Sequence, residues 1–368
     1  MKEALYRLAW LRIPGCASGS LKSLVSHFGS AEQAWKASSK ELRSTPNSNL
    51  RLTGLNAASR EKALVEATEW QKLNEKSGVK TIFYGNPDYP YLLSKCPDAP
   101  AVLFSKGNFN PTHPRIVSVI GTRKATDQGL QAAKAIVKTL SEYGASIVSG
   151  LAYGIDITAH RKAMEEGAHT VAILGSGLGH IYPSVHRKEA KEIEQAGALI
   201  SEFHHLANPD RENFPTRNRI IAGMAHAIIV VEAGAEGGAW ITARFGNDYN
   251  REVLAVPGGW DKPYSLGCNR LIGRHLAAIL PAAEEIPFLL GWDRPLASTQ
   301  DQNAQIALFP PSLTYIEDVL KENKDPMSFD ELSLRTQSNA SSLQSALFEL
   351  ELKGLIRSLP GRYIALCR

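Results

Sequence analysis

A doubly wound, mostly parallel α/β sheet, flanked by a helical N-terminal domain and a C-terminal winged helix, is the fold class this sequence predicts. Three observations predict it. Between Arg115 and Leu280 six apolar runs of buried-strand length alternate with helical patterns. Glycine follows several of those runs directly, where a chain leaving a strand must turn sharply or approach a ligand. The segments before and after this stretch carry helical rather than strand periodicity.

Taken in order, residues 3–11, 20–28, 31–37 and 59–76 read as helices separated by short polar breaks. Between the first two stands Ile13-Pro-Gly-Cys, echoed loosely by Leu52-Thr-Gly-Leu. Such a glycine hairpin between short helices belongs with the helix-hairpin-helix and sterile-alpha-motif class, and a plain helical scaffold accounts for it equally. Residues 79–115 hold Pro87, Pro90, Pro97, Pro100, Pro111 and Pro114, a density that forbids a long helix and leaves short strands at 81–84 and 101–104.

The central strands are expected at 116–120, 146–149, 170–174, 198–201, 227–231 and 252–256, with helices at 128–143, 156–166, 184–195, 217–224 and 239–250. In such a sheet ligands bind beyond the carboxyl ends of the strands. After a polar, proline-bearing stretch come helices at 314–322, 328–336 and 341–353 and a hairpin-like ending, the pattern of a winged helix. Its third helix carries Glu349 and Glu351, which suits protein contact better than a phosphate backbone. The domain reading is therefore 1–78 helical, 79–290 sheet domain, 291–312 linker and 313–368 winged helix.

Composition narrows the function classes. With 368 residues, 43% hydrophobic and 21% charged, the chain is of globular type and long enough for two or three domains. It contains no apolar stretch of membrane-spanning length, and its first residues lack a signal-peptide core, so a cytoplasmic address without membrane association is expected. Cys16, Cys96, Cys268 and Cys367 form no CxxC pair, so neither a metal site nor a disulfide framework is suggested. A net charge of +4 is only mildly basic, and residues 116–280 hold 17 Lys and Arg against 16 acids, so any polyanion site must be a local cluster.

That cluster is sought at Asn213-Phe-Pro-Thr-Arg-Asn-Arg-Ile-Ile-Ala222, where Arg217, Asn218 and Arg219 stand just ahead of an apolar run that reads as a helix start. Guanidinium forks match phosphate, and helix N-termini favour anions. The competing reading is an internal pairing of these arginines with Glu202 or Glu232. Around it the loops expected at the strand ends are Gly121-Thr-Arg-Lys, Gly150-Leu-Ala-Tyr-Gly-Ile-Asp, Gly175-Ser-Gly-Leu-Gly, Glu202-Phe, Glu232-Ala-Gly-Ala and Pro257-Gly-Gly. Several anion-friendly loops on one rim suit an extended polyphosphate or nucleic-acid backbone. A dinucleotide fingerprint fails, because Gly175-Ser-Gly177 is followed by His180 where a glycine is needed. Asp156 and His160 fall four apart on one helix face, either an acid/base or metal pair or a structural hydrogen bond, and His204-His205 reads as surface polarity.

Four ordered runs then resemble the DNA-processing protein A (Smf) family: Ser118-Val-Ile-Gly-Thr-Arg123, Ile147 through His160, Phe214 through Gly223, and Val253-Leu-Ala-Val-Pro-Gly258. The resemblance implies an extended Rossmann-like core that binds single-stranded DNA, dimerises and loads the RecA recombinase in natural transformation, with no cofactor and no catalytic turnover. By motif it places Arg123, Gly150, Ser176, Gly177, Phe214, Arg217, Asn218 and Arg219 around the DNA. Gly237-Gly-Ala-Trp-Ile-Thr-Ala stands where the family usually has a Ser-Gly-Ser-Leu-Ile-Thr-Ala type of run, Gly179 where an Asp is common and His186 where an Asn is expected. The alternative function is a Rossmann-like enzyme that binds nucleotides or hydrolyses nucleoside monophosphates. Pro257-Gly-Gly259 lacks the Gly-Thr that such a motif would continue with.

Overall fold

The computed structural model describes residues 2–46, 55–292, 313–322, 326–336, 340–352, 354–359 and 363–366. The second glycine hairpin at 52–54, nearly all of the expected linker and Cys367 lie outside the described residues. The chain forms two compact units, Met1–Leu296 and Ala297–Arg368.

In the first unit a nine-stranded sheet comprises β1 (Lys80–Phe83), β2 (Val102–Gly107), β3 (Ile116–Ile120), β4 (Ser146–Ser149), β5 (Thr170–Ile173), β6 (Gly197–Ser201), β7 (Ala227–Val230), β8 (Glu252–Ala255) and β9 (Ala278–Ile279). Their order is β1-β2-β6-β5-β4-β3-β7-β8-β9. From β6 to β9 every pairing is parallel, while β1 and β2 run antiparallel at one edge, with Phe104 opposite Ser201. The chain winds outward from β3 through β4, β5 and β6, then returns to the other side of β3 as β7. A crevice therefore opens between the carboxyl ends of β3 and β7.

Alternation along the strands builds the core. Val117, Val119, Ala227 and Ile229 face a layer with Ile136, Leu140, Ile155 and Ala159 from helices Asp127–Glu142 and Ile155–Glu165. Ile116, Ile120, Ile228 and Val230 belong to a second layer with Ile220, Ile221 and Met224 of helix Asn213–Met224 and Ala243 of helix Gly238–Asp248. Both faces of the middle strands are covered, which is why they read as unbroken apolar runs.

The N-terminal helices Lys2–Arg12, Ser18–Phe28, Ala31–Lys36 and Ala57–Lys76 share a core with Val102 and Phe104 of β2, Ala172 of β5 and Leu199 of β6. Trp10 is fully buried there, donates from Nε1 to the Ala31 carbonyl at 3.2 Å, and meets Trp35 edge-on at 5.0 Å. Burying a ring of that size stabilises by about 2–3 kcal/mol.

The two short strands expected in the proline-rich 79–115 segment are present and join the main sheet as its antiparallel edge. Two differences from the sequence reading matter. Strand β9 was not anticipated; with two residues, both exposed, it carries no apolar run. Helix Asn213–Met224 begins four residues before the expected start at 217, so Arg217 and Arg219 lie in its second turn rather than at its N-terminus. Pro215 falls in the first turn, where a backbone N–H has no intrahelical partner to lose.

The second unit has helices Leu313–Glu322, Phe329–Thr336 and Ala340–Leu352 and strands β10 (Met327–Ser328), β11 (Ile356–Leu359) and β12 (Tyr363–Leu366), in the order β10-β12-β11. Its own core gathers Ile316, Leu320, Leu332, Leu343, Leu350, Ile356 and Ile364. Three helices with a β-wing make a winged helix. Among the described residues no helix is long and apolar enough to cross a membrane.

Candidate functional site

The crevice between β3 and β7 contains a cavity of about 650 Å3. Its walls come from the loop Gly121–Arg123 after β3, from Ala152 and Asp156 beyond β4, from Arg211, Phe214, Arg217 and Asn218, and from residues 233–242 beyond β7.

At its mouth Arg123 is exposed, and its guanidinium lies over the Phe214 ring, 5.6 Å from the centroid. Phe214 is half-buried, seated against Gly175, where a Cβ would come within 2.9 Å of the ring, and 5.4 Å from the Tyr182 ring. It is thus anchored along one side while remaining part of the cavity lining. Arginine over an aromatic face is a pairing suited to an unpaired base and its phosphate.

Arg217 is a different kind of residue. It is 3% exposed and donates from one guanidinium nitrogen to the Gly150 carbonyl at 2.6 Å and to the Ile173 carbonyl, while Nε has no partner among the described residues. Burial pulls its pKa down to about 10, with Asp156 opposing and Arg123 reinforcing the shift, so it remains a cation at neutral pH. Gly150 leaves the room for it, since a Cβ there would strike the guanidinium. The Gly150 N–H donates to Asp156 Oδ2 at 3.2 Å. Burial raises the Asp156 pKa, and Arg217 pulls against that shift. The loop just beyond holds Leu151 at φ 58°, an uncommon backbone state for a bulky residue, with His186 Nδ1 2.8 Å from its carbonyl.

Asn218 donates to the Gly238 carbonyl at 3.3 Å and so joins the two helices that flank the cavity. Arg219 points elsewhere, pairing with Glu202 and donating to the Asp98 carbonyl in a separate cleft. The internal pairing weighed from sequence is what this arginine makes. Burial raises the Glu202 pKa and Arg219 counters it. Glu232 instead accepts from the Thr126 N–H at 2.9 Å and hydroxyl at 2.5 Å, steadying the start of helix Asp127–Glu142.

Ser176 and Gly177 are buried away from the cavity lining. The Ser176 hydroxyl donates to the His180 carbonyl at 2.6 Å, the Gly177 N–H donates to Ala207 at 2.9 Å, and a Cβ on Gly177 would collide with the His204 carbonyl. Their loop is folded onto residues 204–207. Of the eight residues expected around a ligand, the structure brings Arg123, Phe214, Arg217 and Asn218 together on the cavity wall, with Gly150 directly behind them.

Asp156 and His160 do not bond to each other. His160 pairs through Nδ1 with the Thr170 hydroxyl at 2.7 Å, and burial lowers its pKa to about 3. His204, read as surface polarity, is half-buried and stacks on Trp70 at 4.5 Å. Among the described residues no group of His, Cys, Asp and Glu could hold a metal ion. The sequence reading missed Arg211, Tyr182 and Trp240 as lining residues. Trp240 was noted only as a departure within its run, although a tryptophan two residues into a helix that follows a strand-end glycine loop was the available signal.

Residues 80–290 match the family model described as DNA recombination-mediator protein A, and residues 322–362 match the DprA winged helix domain. The chain is 31% identical over 392 residues to protein Smf of Synechocystis sp., spanning 98% of both chains. It is similar to the X-ray structure of DNA processing protein A from Streptococcus pneumoniae, with a TM-score of 0.64 and 27% identity over 77% of this chain and 96% of that one. It is also similar to DNA processing protein A from Helicobacter pylori, a structure described for its single-stranded DNA binding mode, with a TM-score of 0.53 and 26% identity over 59% of this chain and 97% of that one.

Proposed function

The chain belongs to the DNA recombination-mediator protein A family, and from that premise we propose that it binds single-stranded DNA in the β3–β7 cavity. The observation that carries this reading is the exposed Arg123 guanidinium lying over the half-buried Phe214 ring at the mouth of the cavity. The cation meets a phosphate, and the ring stacks on an unpaired base of any identity. The single-stranded DNA binding for which the Helicobacter structure is described supports single-stranded DNA as the ligand.

Within this reading the expected residues divide by role. Arg123 and Phe214 touch the strand. Arg217, Gly150 and Asn218 hold the wall against which it lies, and Ser176, Gly177 and Arg219 shape the loops behind. The cavity's buried carboxylate, Asp156, is occupied by the Gly150 amide and the Arg217 field, which suits binding without turnover. At the level of the whole protein, we read the chain as a mediator that works as a homodimer, protects incoming single strands and loads the RecA recombinase on them in natural transformation. Family membership supports that role.

The test is fluorescence anisotropy of a labelled oligonucleotide, single-stranded and duplex, across a salt series. The expected result is tighter binding of the single strand, falling steeply as salt rises. Equal affinity for duplex, or no salt dependence, would reject the reading. Turnover of nucleoside monophosphates would return the enzyme alternative.

A further inference from the structure

We propose that Trp240 is a second base-stacking platform in the cavity, so that the site holds two unpaired bases of one strand in series rather than one. This rests on the reading of the cavity as a single-stranded DNA site. Phe214 lies on the β5 side, against Gly175. Trp240, near the start of helix Gly238–Asp248, lines the same cavity from the β7 loop, and its ring is approached by Arg274 from the end of helix Leu266–Gly273, beyond β8. The Arg274 guanidinium stands 5.8 Å from the Trp240 centroid, and that of Arg123 stands 5.6 Å from the Phe214 centroid. One cavity is therefore lined by two half-buried rings, each approached by an exposed arginine, Arg123 from the cavity wall and Arg274 from outside the lining.

The repetition points to a ligand that itself repeats, a base and a phosphate followed by another base and phosphate. A mononucleotide would use one pair and leave the other idle. A duplex has its bases already stacked and offers neither ring a free face. Asn218 ties the two helices that carry the rings, through its bond to Gly238, and so fixes their spacing. The rival role for Trp240 is packing, because part of the ring rests on the sheet core.

The two roles separate in a titration of the full chain with an oligothymidylate and with an abasic strand of the same number of phosphates, followed by anisotropy and by tryptophan emission. The expected result is that oligothymidylate quenches the wild-type emission and the abasic strand does not. Trp240→Leu then binds oligothymidylate roughly 5- to 100-fold more weakly, binds the abasic strand as the wild type does, and loses the quench; Trp240→Phe recovers most of the affinity. Unchanged oligothymidylate binding by Trp240→Leu, or an equal loss for both strands, overturns the proposal and returns Trp240 to packing. If the wild type binds neither strand at low salt, the parent reading falls and takes this one with it.

Discussion

Arg123 and Arg217 flank the same cavity, yet their surroundings give them opposite duties. Arg123 is exposed, so Arg123→Ala removes a phosphate partner without opening the core. We expect single-strand affinity to fall about tenfold, the salt slope to drop by about one, and stability to stay within about 0.5 kcal/mol. Arg217 is enclosed by two carbonyls and the field of Asp156. Arg217→Ala leaves those carbonyls unpaired and Asp156 uncompensated, so it should destabilise by about 3–5 kcal/mol in urea unfolding. Arg217→Lys should recover part of the loss, because both carbonyls accept from a single nitrogen and an ammonium keeps a cation with several donors beside Asp156. If Arg217→Ala unfolds like wild type, the bracing role is wrong. What the sequence made legible was the residue type and its neighbourhood: two arginines, an asparagine and a phenylalanine beside glycine loops. Direction was not legible, since Arg217 and Arg219 are two positions apart on a helix and face different clefts, one towards the cavity and one towards Glu202.

At the scale of elements, the loop between β4 and helix Ile155–Glu165 sets the height of the cavity mouth. Gly154 stands at φ 74°, and a Cβ there would collide with the Thr122 carbonyl, in the loop that carries Arg123. The Ile155 N–H bonds that same carbonyl at 3.3 Å, so the two loops are pressed together. Gly154→Ala should therefore cost about 1–3 kcal/mol and also weaken oligonucleotide binding by displacing Arg123, although residue 154 touches no ligand. Full affinity in a destabilised Gly154→Ala protein would mean that the loops move independently. The six central strands were readable because burial on both faces leaves no polar alternation to confuse, and each is short and bounded by glycine or a helix cap. Helix Asn213–Met224 starts four residues before its apolar periodicity becomes readable, because Asn213-Phe-Pro-Thr has no helical pattern of its own and proline is at home in a first turn. Strand β9 has no such signature. It exists through register with β8, Leu254 opposite Ala278, which is a property of the assembled sheet and not of its own two residues.

Across the whole molecule, histidines that lose solvent on folding, His160 above all, shape how the protein responds to acid. Burial leads the downward shift at His113, His160, His204, His205 and His226, and His160 falls furthest, from an ordinary 6.5 to about 3. A histidine depressed in the folded state contributes stability above its unfolded pKa and loses it as pH falls toward the folded value. Asp156 and Glu202, raised by burial, act in the opposite sense, contributing stability as pH falls through their folded values. Against that gain the histidines pull stability down between pH 7.5 and 5, and the share of His160 can be isolated by substitution. At about 1.36 kcal/mol per unit, His160 alone accounts for about 2 kcal/mol by pH 5, because its unfolded form is protonated there and its folded form is not. Urea unfolding of the wild type and of His160→Gln at both pH values checks this. The variant should start less stable at pH 7.5, because the bond to Thr170 is disturbed, and then lose about 2 kcal/mol less than the wild type on acidification. Parallel declines in the two proteins would mean that His160 does not titrate on unfolding in this range and that its burial is relieved by a partner gained in acid.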